Sequence, residues 1–354
     1  MLVSRLMITA YDPGYFLNRH EISHQKANEP VDVFNFVDYF HLDSYKSDKP
    51  FFCYNSEILH DNKFKNQNII SFISAATYRD ELQVPVVFYP EHLIMTYKSN
   101  ETIDRIRPIS IPDYKPFLAD VLMGQPKLHR WQIVNRIIEK GLEDRCLISL
   151  IEGPYQRLEE CRGMKRYFPL WGYPRNIISS NLDEYDDSDI ISMRRDGFFN
   201  SVDQPPGGNR IWASRMIPTG IYDASWISIV GETNTNNKIF FPTEKVAKPM
   251  LDGRLFLAIG GKDYLKNLRN IGFETFHEYI DESYDSYESE VERVDKMIDT
   301  LIVLSNEKMN SLYQKIRPIL IHNQMLMRNI HQMTSELRSF LVGFESGFRF
   351  QPKS

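Results

Sequence analysis

The sequence predicts an α/β protein with two domains, and three observations carry that prediction. Between Trp226 and Gly261, two short apolar strands flank a polar loop and a short helix, which is the order of a βαβ unit. A second strand, turn and helix follow Lys115-Pro116. The chain has 354 residues, which is enough for two domains that each bury a core. In such sheets we expect ligands at the carboxyl ends of the strands.

The composition disfavours several classes of protein. A net charge of −5 and an isoelectric point of about 6.0 argue against a general nucleic-acid binder, which usually has a basic balance. Cys53, Cys146 and Cys161 have neither the spacing of a metal site nor that of a disulfide framework. The chain shows no signal peptide and no apolar run near the roughly 18 residues that span a bilayer. We therefore expect no metal site and no membrane span.

The first domain is expected over residues 1–115. Apolar runs predict strands in it, whereas its helix signals are poor. Glu57 and Glu91 follow directly after predicted strand ends, so each is a candidate general base; an ordinary surface carboxylate is the alternative for both. The predicted strands are Leu2–Thr9, Phe51–Tyr54, Ile69–Ile73 and Val84–Phe88.

The second domain is expected over residues 116–320 and opens with a strand at Phe117–Met123. After a Gly-Gln-Pro turn, a helix begins near Lys127, and its apolar residues recur at helical spacing. Cys146–Leu150 is the next predicted strand. Lys127 or Arg130 would reach an anion bound at this turn, and a basic surface turn is the alternative.

Residues 151–224 are predicted to form an irregular insert. It contains the acidic run Asn181–Asp189, in which Asp187 and Asp189 have the spacing of a divalent-metal pair. Because the run is compositionally simple, a solvated acidic loop is favoured over a metal site.

The central unit runs from a strand at Trp226–Val230 to a strand at Leu255–Ile259. Between them, Thr243 is a good N-cap for a short helix that Gly253 closes. Parallel strands present their carboxyl ends at one edge of a sheet. We therefore expect Glu232 and the start of this helix at the same edge.

The residues at this helix start suit a nucleotide. A helix N-terminus favours phosphate because its N–H groups are free and its dipole end is positive. Lys245 and Lys248 add full positive charge, and Glu232 and Glu244 are acceptors for the vicinal hydroxyls of a ribose. The alternative is a capped helix with solvated charges.

The rest of the chain is predicted to be mostly helical. A helix at Tyr264–Ile271 precedes a strand at Phe273–Phe276. Ser289 and Glu292 form a capping box at the start of a further helix. Pro318 is expected to break the helical pattern before a last helix.

Two motifs in the central unit resemble the donor site of GT-B glycosyltransferases. Ile229-Val230-Gly231-Glu232-Thr233 followed by Thr243-Glu244-Lys245 is most similar to the fucosyltransferase type, with its Phe-Glu-Asn and Thr-Glu-Lys pattern. The resemblance implies a GT-B fold, in which two Rossmann-like α/β domains face a central cleft. It also implies that residues 321–354 form a C-terminal helix that crosses back to the first domain. Residues 272–276 and 281–285 are similar to uncharacterised phage and bacterial glycosyltransferase-like proteins.

The resemblance implies roles for individual residues. In that family both glutamates contact the donor nucleoside and the lysine contacts the diphosphate, which assigns these roles to Glu232, Glu244 and Lys245. Thr233 stands where the family has Asn. Pro249 lies where the family's helix is uninterrupted, so this helix is expected to be kinked or to start later. The candidate donor-binding residues are Lys127, Arg130, Glu232, Thr233, Thr243, Glu244, Lys245 and Lys248.

The implied reaction transfers a sugar from a nucleotide-diphospho-sugar to a glycan or another hydroxyl acceptor. Inversion is expected, without a metal or a cofactor other than the donor itself. Lys245 and Arg130 would stabilise the leaving diphosphate, and Glu57 or Glu91 would take the acceptor proton. Family members in animals are membrane-anchored, and this chain shows no anchor. We therefore expect a cytoplasmic enzyme of a bacterium or of a virus-infected host cell.

Two other functions stay open at this point. The same fold could keep the donor pocket without a base, which would make the chain a non-catalytic nucleotide-sugar or glycan-binding protein. A phage enzyme that glycosylates DNA bases is the other. It requires a basic cleft, which the net charge does not favour.

Overall fold

The computed structural model describes residues 35–38, 51–55, 69–78, 86–123, 127–150, 177–178 and 215–330. The chain divides into two compact units, one formed by Met1–Met95 with Asn329–Ser354 and the other by Thr96–Arg328. The division into 1–115, 116–320 and 321–354 stays a prediction.

The first unit contains a parallel sheet. Its described strands pair in the order β1-β2-β3-β5, and every pairing is parallel. Runs of apolar residues predicted three of these strands. In the pairing of β3 with β5, Phe72 lies opposite Val86 and Ser74 lies opposite Phe88. The strands of this unit are β1 (Asn35–Asp38), β2 (Phe51–Asn55), β3 (Ile69–Ser74), β4 (Thr77–Tyr78) and β5 (Val86–Phe88).

The second unit contains a five-stranded sheet in the order β11-β9-β6-β7-β8, in which only the pairing of β7 with β8 is antiparallel. Every residue of β9 and β11 is buried, as expected for strands covered by helices on both faces of a parallel sheet. The strands are β6 (Phe117–Met123), β7 (Cys146–Leu150), β8 (Ile177–Ile178), β9 (Ser225–Gly231), β10 (Ile239–Phe240) and β11 (Leu255–Ile259).

Helices connect and cover these strands. Helix α2 packs against α6, and α4 packs against α7. The crossovers from β6 to β7 and from β9 to β11 run in opposite directions along the sheet. Because such crossovers are right-handed, α2 and α4 lie on opposite faces. The helices are α1 (Glu91–Thr102), α2 (Leu128–Glu139), α3 (Thr219–Ala224), α4 (Glu244–Asp252), α5 (Tyr264–Asn270), α6 (Glu290–Leu304) and α7 (Met309–Arg328).

A buried ion pair lies inside the second unit. The side chains of Asp120 and Arg254 are 3% and 2% exposed, and a 2.7 Å contact joins Arg254 Nη2 to Asp120 Oδ2. The hydroxyls of Ser225 and Ser228 donate to the same carboxylate oxygen at 3.0 Å. The guanidinium lies 4.1 Å from the centroid of the Tyr222 ring. These bonds connect β6, β9 and the residue that precedes β11.

An α/β protein with a parallel sheet is therefore confirmed, and the arrangement of the second unit is compatible with a Rossmann-like fold. The predicted strands at Phe117–Met123, Cys146–Leu150 and Leu255–Ile259 are confirmed with the same bounds. Within the part of the chain that the structure describes, no helix combines the length and apolarity needed to cross a membrane.

Two element predictions are wrong. Phe273–Phe276 is not a strand, because side chains take its backbone hydrogen bonds: Asn323 contacts the backbone of Glu274, and Glu282 accepts from the N–H of Phe276. Pro318 does not break the helical pattern, because α7 continues through it.

The structure contains two helices, α1 and α3, that were not predicted from the sequence. The predicted strand Leu2–Thr9 and the acidic pair Asp187 and Asp189 lie outside the described residues.

Candidate functional site

The strand order of the second unit reverses between β6 and β9. From β6 the chain continues to β7 on one side, whereas β9 and β11 follow on the other side. In doubly wound sheets this reversal opens a crevice at the carboxyl ends of the strands, and ligands bind there. The residues that follow β6 and β9 are the candidates that the sequence singled out, from Lys127 and from Glu232 onward.

Helix α2 starts beside the end of β9. Its N-cap, Lys127, makes no side-chain capping bond, and its first turn carries no acidic residue. The amine of Lys127 donates to the carbonyl of Thr233. Arg130 is 3% exposed, and its guanidinium donates to the carbonyls of Gly231 at 3.1 Å and Glu232 at 3.0 Å. Burial lowers the pKa of Arg130. These cations bind the peptide oxygens at the end of β9, so Arg130 acts here through the backbone.

His129 is a buried neighbour of this contact. Its Nε2 lies 2.9 Å from the carbonyl oxygen of Glu232, and its side chain is 3% exposed. Burial, together with the nearby Arg130 charge, lowers the pKa of His129 to about 3. The imidazole is therefore neutral at pH 7, and a neutral ring that bonds a carbonyl donates through Nε2.

The carboxylate of Glu232 is fully buried and bonded on both oxygens. Oε1 accepts from the N–H of Thr243 at 3.1 Å and from the hydroxyl of Tyr264 at 2.7 Å. Oε2 accepts from the hydroxyl of Thr243 at 2.6 Å and from the N–H of Thr233 at 3.1 Å. The residue is 0% exposed. A ribose could reach this carboxylate only after one of these bonds breaks, and the direct donor contact expected for Glu232 stays a prediction.

Tyr264 reaches Glu232 across a glycine. The first residue of α5 is Tyr264, and its ring packs over Gly260, where an added Cβ would lie 2.3 Å from Cδ2 of the ring. The ring also lies 5.5 Å from that of Phe240. The close approach requires glycine at position 260. Tyr264 therefore joins the start of α5 to the residue after β11 through its ring and to the end of β9 through its hydroxyl.

Helix α4 begins with the Thr-Glu-Lys motif. Thr243 is its N-cap, as predicted, and accepts from the N–H of Lys245 at 3.4 Å. The amine of Lys245 contacts Glu244 Oε1 at 2.5 Å, Thr233 Oγ1 at 3.0 Å and Thr243 Oγ1 at 3.3 Å. Lys248 is partly buried one turn further along. The loops that follow β6 and β9 and the start of α4 therefore meet, as the sequence indicated.

The end of α4 is also explained by its sequence. Gly253 has a φ of 67°, and its N–H and that of Arg254 bond the carbonyls of Met250 and Pro249 in a Schellman arrangement. The helix begins at Glu244, so Pro249 does not delay its start.

Comparison with known protein families, with curated proteins and with solved structures gives no match.

The loop that follows Glu232 is held by a residue that the sequence did not single out. Arg293, on α6, is 2% exposed and donates to the carbonyl of Thr235 at 3.1 Å and to Asn237 Oδ1 at 2.9 Å. Asn237 in turn donates to the carbonyl of Glu288 at 2.8 Å. The only sequence signal was an arginine at a position where helical periodicity predicts a partly buried face.

The two base candidates belong to the first unit. Glu57 lies outside the described residues. Glu91 is the first residue of α1 and is 7% exposed. Their role as general bases stays a prediction. Among the described residues, no group of three or more metal-ligating side chains is present.

Proposed function

We propose that this chain is a GT-B glycosyltransferase that transfers a sugar from a nucleotide-diphospho-sugar to a hydroxyl acceptor. One observation carries the proposal: Glu244, Lys245, Lys127 and the hydroxyl of Thr233 meet where the strand order of a parallel sheet reverses. A carboxylate for sugar hydroxyls beside lysines for phosphate is the chemistry that a nucleotide diphosphate requires. The resemblance to the fucosyltransferase type supports the same assignment.

The uncapped start of α2 supports a diphosphate at this edge. Its N–H groups and positive dipole end favour an anion, and Lys127 adds charge at the same turn. Lys245 lies across from it on α4, with its amine already held by Thr233. During transfer the leaving diphosphate gains negative charge, which these groups stabilise. The group that takes the acceptor proton stays a prediction, with Glu57 and Glu91 as the candidates.

A thermal-shift screen against nucleotide sugars tests the proposal directly. A donor present at 100 times its Kd adds about 2.7 kcal/mol of stability. Transfer is then measured with the donor that binds, through the released nucleoside diphosphate. A chain that none of the common uridine, guanosine, cytidine or thymidine diphospho-sugars stabilises would contradict the proposal.

The Lys245→Met variant tests which residue holds the diphosphate. The substitution keeps the length of the side chain and removes its charge. A charged hydrogen bond contributes about 1.5–3 kcal/mol, so donor affinity should fall about 10- to 100-fold. The exposed Lys266 of α5 provides the matched control, because Lys266→Met makes the same change outside the site. Equal donor affinity in the two variants, measured by calorimetry, would remove Lys245 from the site.

The competing functions give different results in these assays. A non-catalytic nucleotide-sugar or glycan-binding protein would bind a donor without any turnover. A DNA-base glycosyltransferase would bind duplex DNA in a salt-dependent manner.

A further inference from the structure

Glu244 and Lys245 neutralise each other in the structure. The 2.5 Å contact between Lys245 Nζ and Glu244 Oε1 joins side chains that are only 20% and 14% exposed. Neighbours on a helix point about 100° apart, because an α-helix has about 3.6 residues per turn, so this pairing requires both side chains to bend together. The amine is also held by the hydroxyls of Thr233 and Thr243. The cation that would bind phosphate therefore already has a carboxylate partner.

We infer that Glu244 is a specificity residue, which makes the site select nucleotides over free phosphate anions; this inference rests on the proposed function. A free anion that takes Lys245 must displace the carboxylate. It then leaves Glu244, in a position with little access to water, without the amine that it contacts in the structure. A nucleotide places phosphate at Lys245 and ribose hydroxyls at Glu244, so both members of the pair receive new partners.

The charges explain why the effect should be large enough to measure. In a mostly buried position, like charges are weakly screened, and the carboxylate of Glu244 repels an approaching anion as well as competing with it for Lys245. Glutamine at position 244 keeps the side-chain shape and one acceptor oxygen but removes the negative charge. Inorganic anions should then bind more tightly, whereas a ligand that needs the carboxylate should bind less tightly.

Pyrophosphate and nucleosides are the two probes that separate these effects. With Glu244→Gln, affinity for pyrophosphate should rise at least about fivefold at low ionic strength, and affinity for the nucleoside of the preferred donor should fall. The gain for pyrophosphate should disappear in the double variant Glu244→Gln, Lys245→Met. Calorimetry or competition with a fluorescent anion measures these affinities for the wild-type protein, the single variant and the double variant.

Asp299→Asn is the matched control. Asp299 forms a pair with Lys296 at 3.1 Å, but both side chains are about half exposed on α6. Its substitution changes the net charge by the same amount and should leave pyrophosphate affinity unchanged. Circular dichroism establishes folding of each variant, and Glu244→Ala provides a second removal of the charge if glutamine disturbs the helix start.

The expected result is that Glu244→Gln raises the affinity for pyrophosphate and lowers the affinity for the nucleoside. Pyrophosphate affinity that stays the same or falls on removal of Glu244 would overturn the inference, as would pyrophosphate binding to neither protein. The proposed function fails in a different way. In that case no nucleotide sugar binds or turns over, whereas the gain for pyrophosphate persists in Glu244→Gln.

Discussion

Glu232 touches the starts of three helices. Its peptide oxygen accepts from His129 and Arg130 on α2, and its carboxylate accepts from Thr243 at the start of α4 and from Tyr264 on α5. Its N–H donates to the carbonyl of Ile259 at 2.9 Å. A buried carboxylate is costly unless it is fully hydrogen-bonded, and this one has donors on both oxygens. Its physical role is to set the relative positions of these helix starts.

The neutral state of His129 makes stability depend on pH. The pKa in the folded state, about 3, is below the ordinary value of 6.5, so folding favours the neutral ring. The resulting stability is present above pH 6.5 and is lost as the pH falls from there toward 3. Between these values the free energy of unfolding should decrease by about 1.4 kcal/mol per pH unit from this group. His129→Gln should flatten that slope.

Urea unfolding followed by tryptophan fluorescence measures the slope for the second unit, because Trp131, Trp171, Trp212 and Trp226 are the four tryptophans of the chain and all lie within it. His322→Gln makes the same substitution at a side chain that is 43% exposed. A His129→Gln protein with the wild-type slope would show that His129 takes up protons in the folded state.

Residue types at the site were predictable from sequence, whereas burial was not. The Thr-Glu-Lys motif and the glutamate after β9 indicate chemistry through their side chains alone. Whether such a carboxylate faces a ligand or a neighbouring hydroxyl depends on Tyr264, which comes 32 positions later in the chain. No local pattern in the sequence signals that contact.

At the level of elements, the helices that begin at this edge differ in whether a side chain accepts hydrogen bonds from their first N–H groups. Asp285 accepts from the N–H groups of Leu265 and Lys266 at 3.0 and 3.1 Å, so its carboxylate occupies the start of α5. Burial raises the pKa of Asp285 to about 6. Thr243 caps α4 and Ser289 caps α6. Lys127 makes no such bond, which leaves α2 as the helix start best suited to a phosphate among these four.

Gly260→Ala tests the packing of α5 against the end of β11. Gly260 does not adopt a positive φ, so the cost of alanine comes from its contact with the buried Tyr264 ring. Overpacking of this kind costs about 1–3 kcal/mol. The urea midpoint should fall accordingly, with the slope of the transition unchanged. Tyr264→Phe, which removes only the hydroxyl, separates the loss of the bond to Glu232 from the steric effect. A Gly260→Ala protein with the wild-type urea midpoint would contradict the close packing.

Elements with strong local signals were predicted well, and those that depend on distant side chains were not. The strands β6, β7 and β11 are apolar runs bounded by turn residues, and their bounds follow from that pattern. The Phe273–Phe276 segment begins and ends with Phe, but Asn323 and Glu282 bond its backbone. Helix α1 has few apolar residues at helical spacing, so the sequence pattern did not predict it.

At the level of the whole molecule, strand order decides where a ligand would bind. A βαβ unit read from sequence gives the direction of two strands but not which strands lie between them. The reversal between β6 and β9 depends on the pairing of Phe117 with Ser225 and of Ala119 with Ile227, residues that are far apart in the chain. The sequence could therefore predict the candidate edge only in part.

The ion pair of Asp120 and Arg254 should dominate the charge contribution to the stability of the second unit. Asp120→Asn removes the carboxylate that the buried guanidinium of Arg254 contacts, and breaking such a pair costs about 3–5 kcal/mol. Asp223→Asn is the control, because Asp223 is 62% exposed and pairs with Arg107 at the surface, where a pair contributes about 0–1 kcal/mol. Tryptophan fluorescence in urea measures both. Equal losses would indicate that water reaches Arg254.

The contacts around Glu232 also bear on how the protein can be assembled. His129 and the carbonyl it bonds are 103 positions apart, so neither half of the second unit contains a complete set of contacts. Closing a contact across so long a stretch of chain costs conformational entropy, which slows folding. Two polypeptides divided between β8 and β9 would each carry only part of the edge. Recovery of nucleotide binding on mixing them would then report their reassociation.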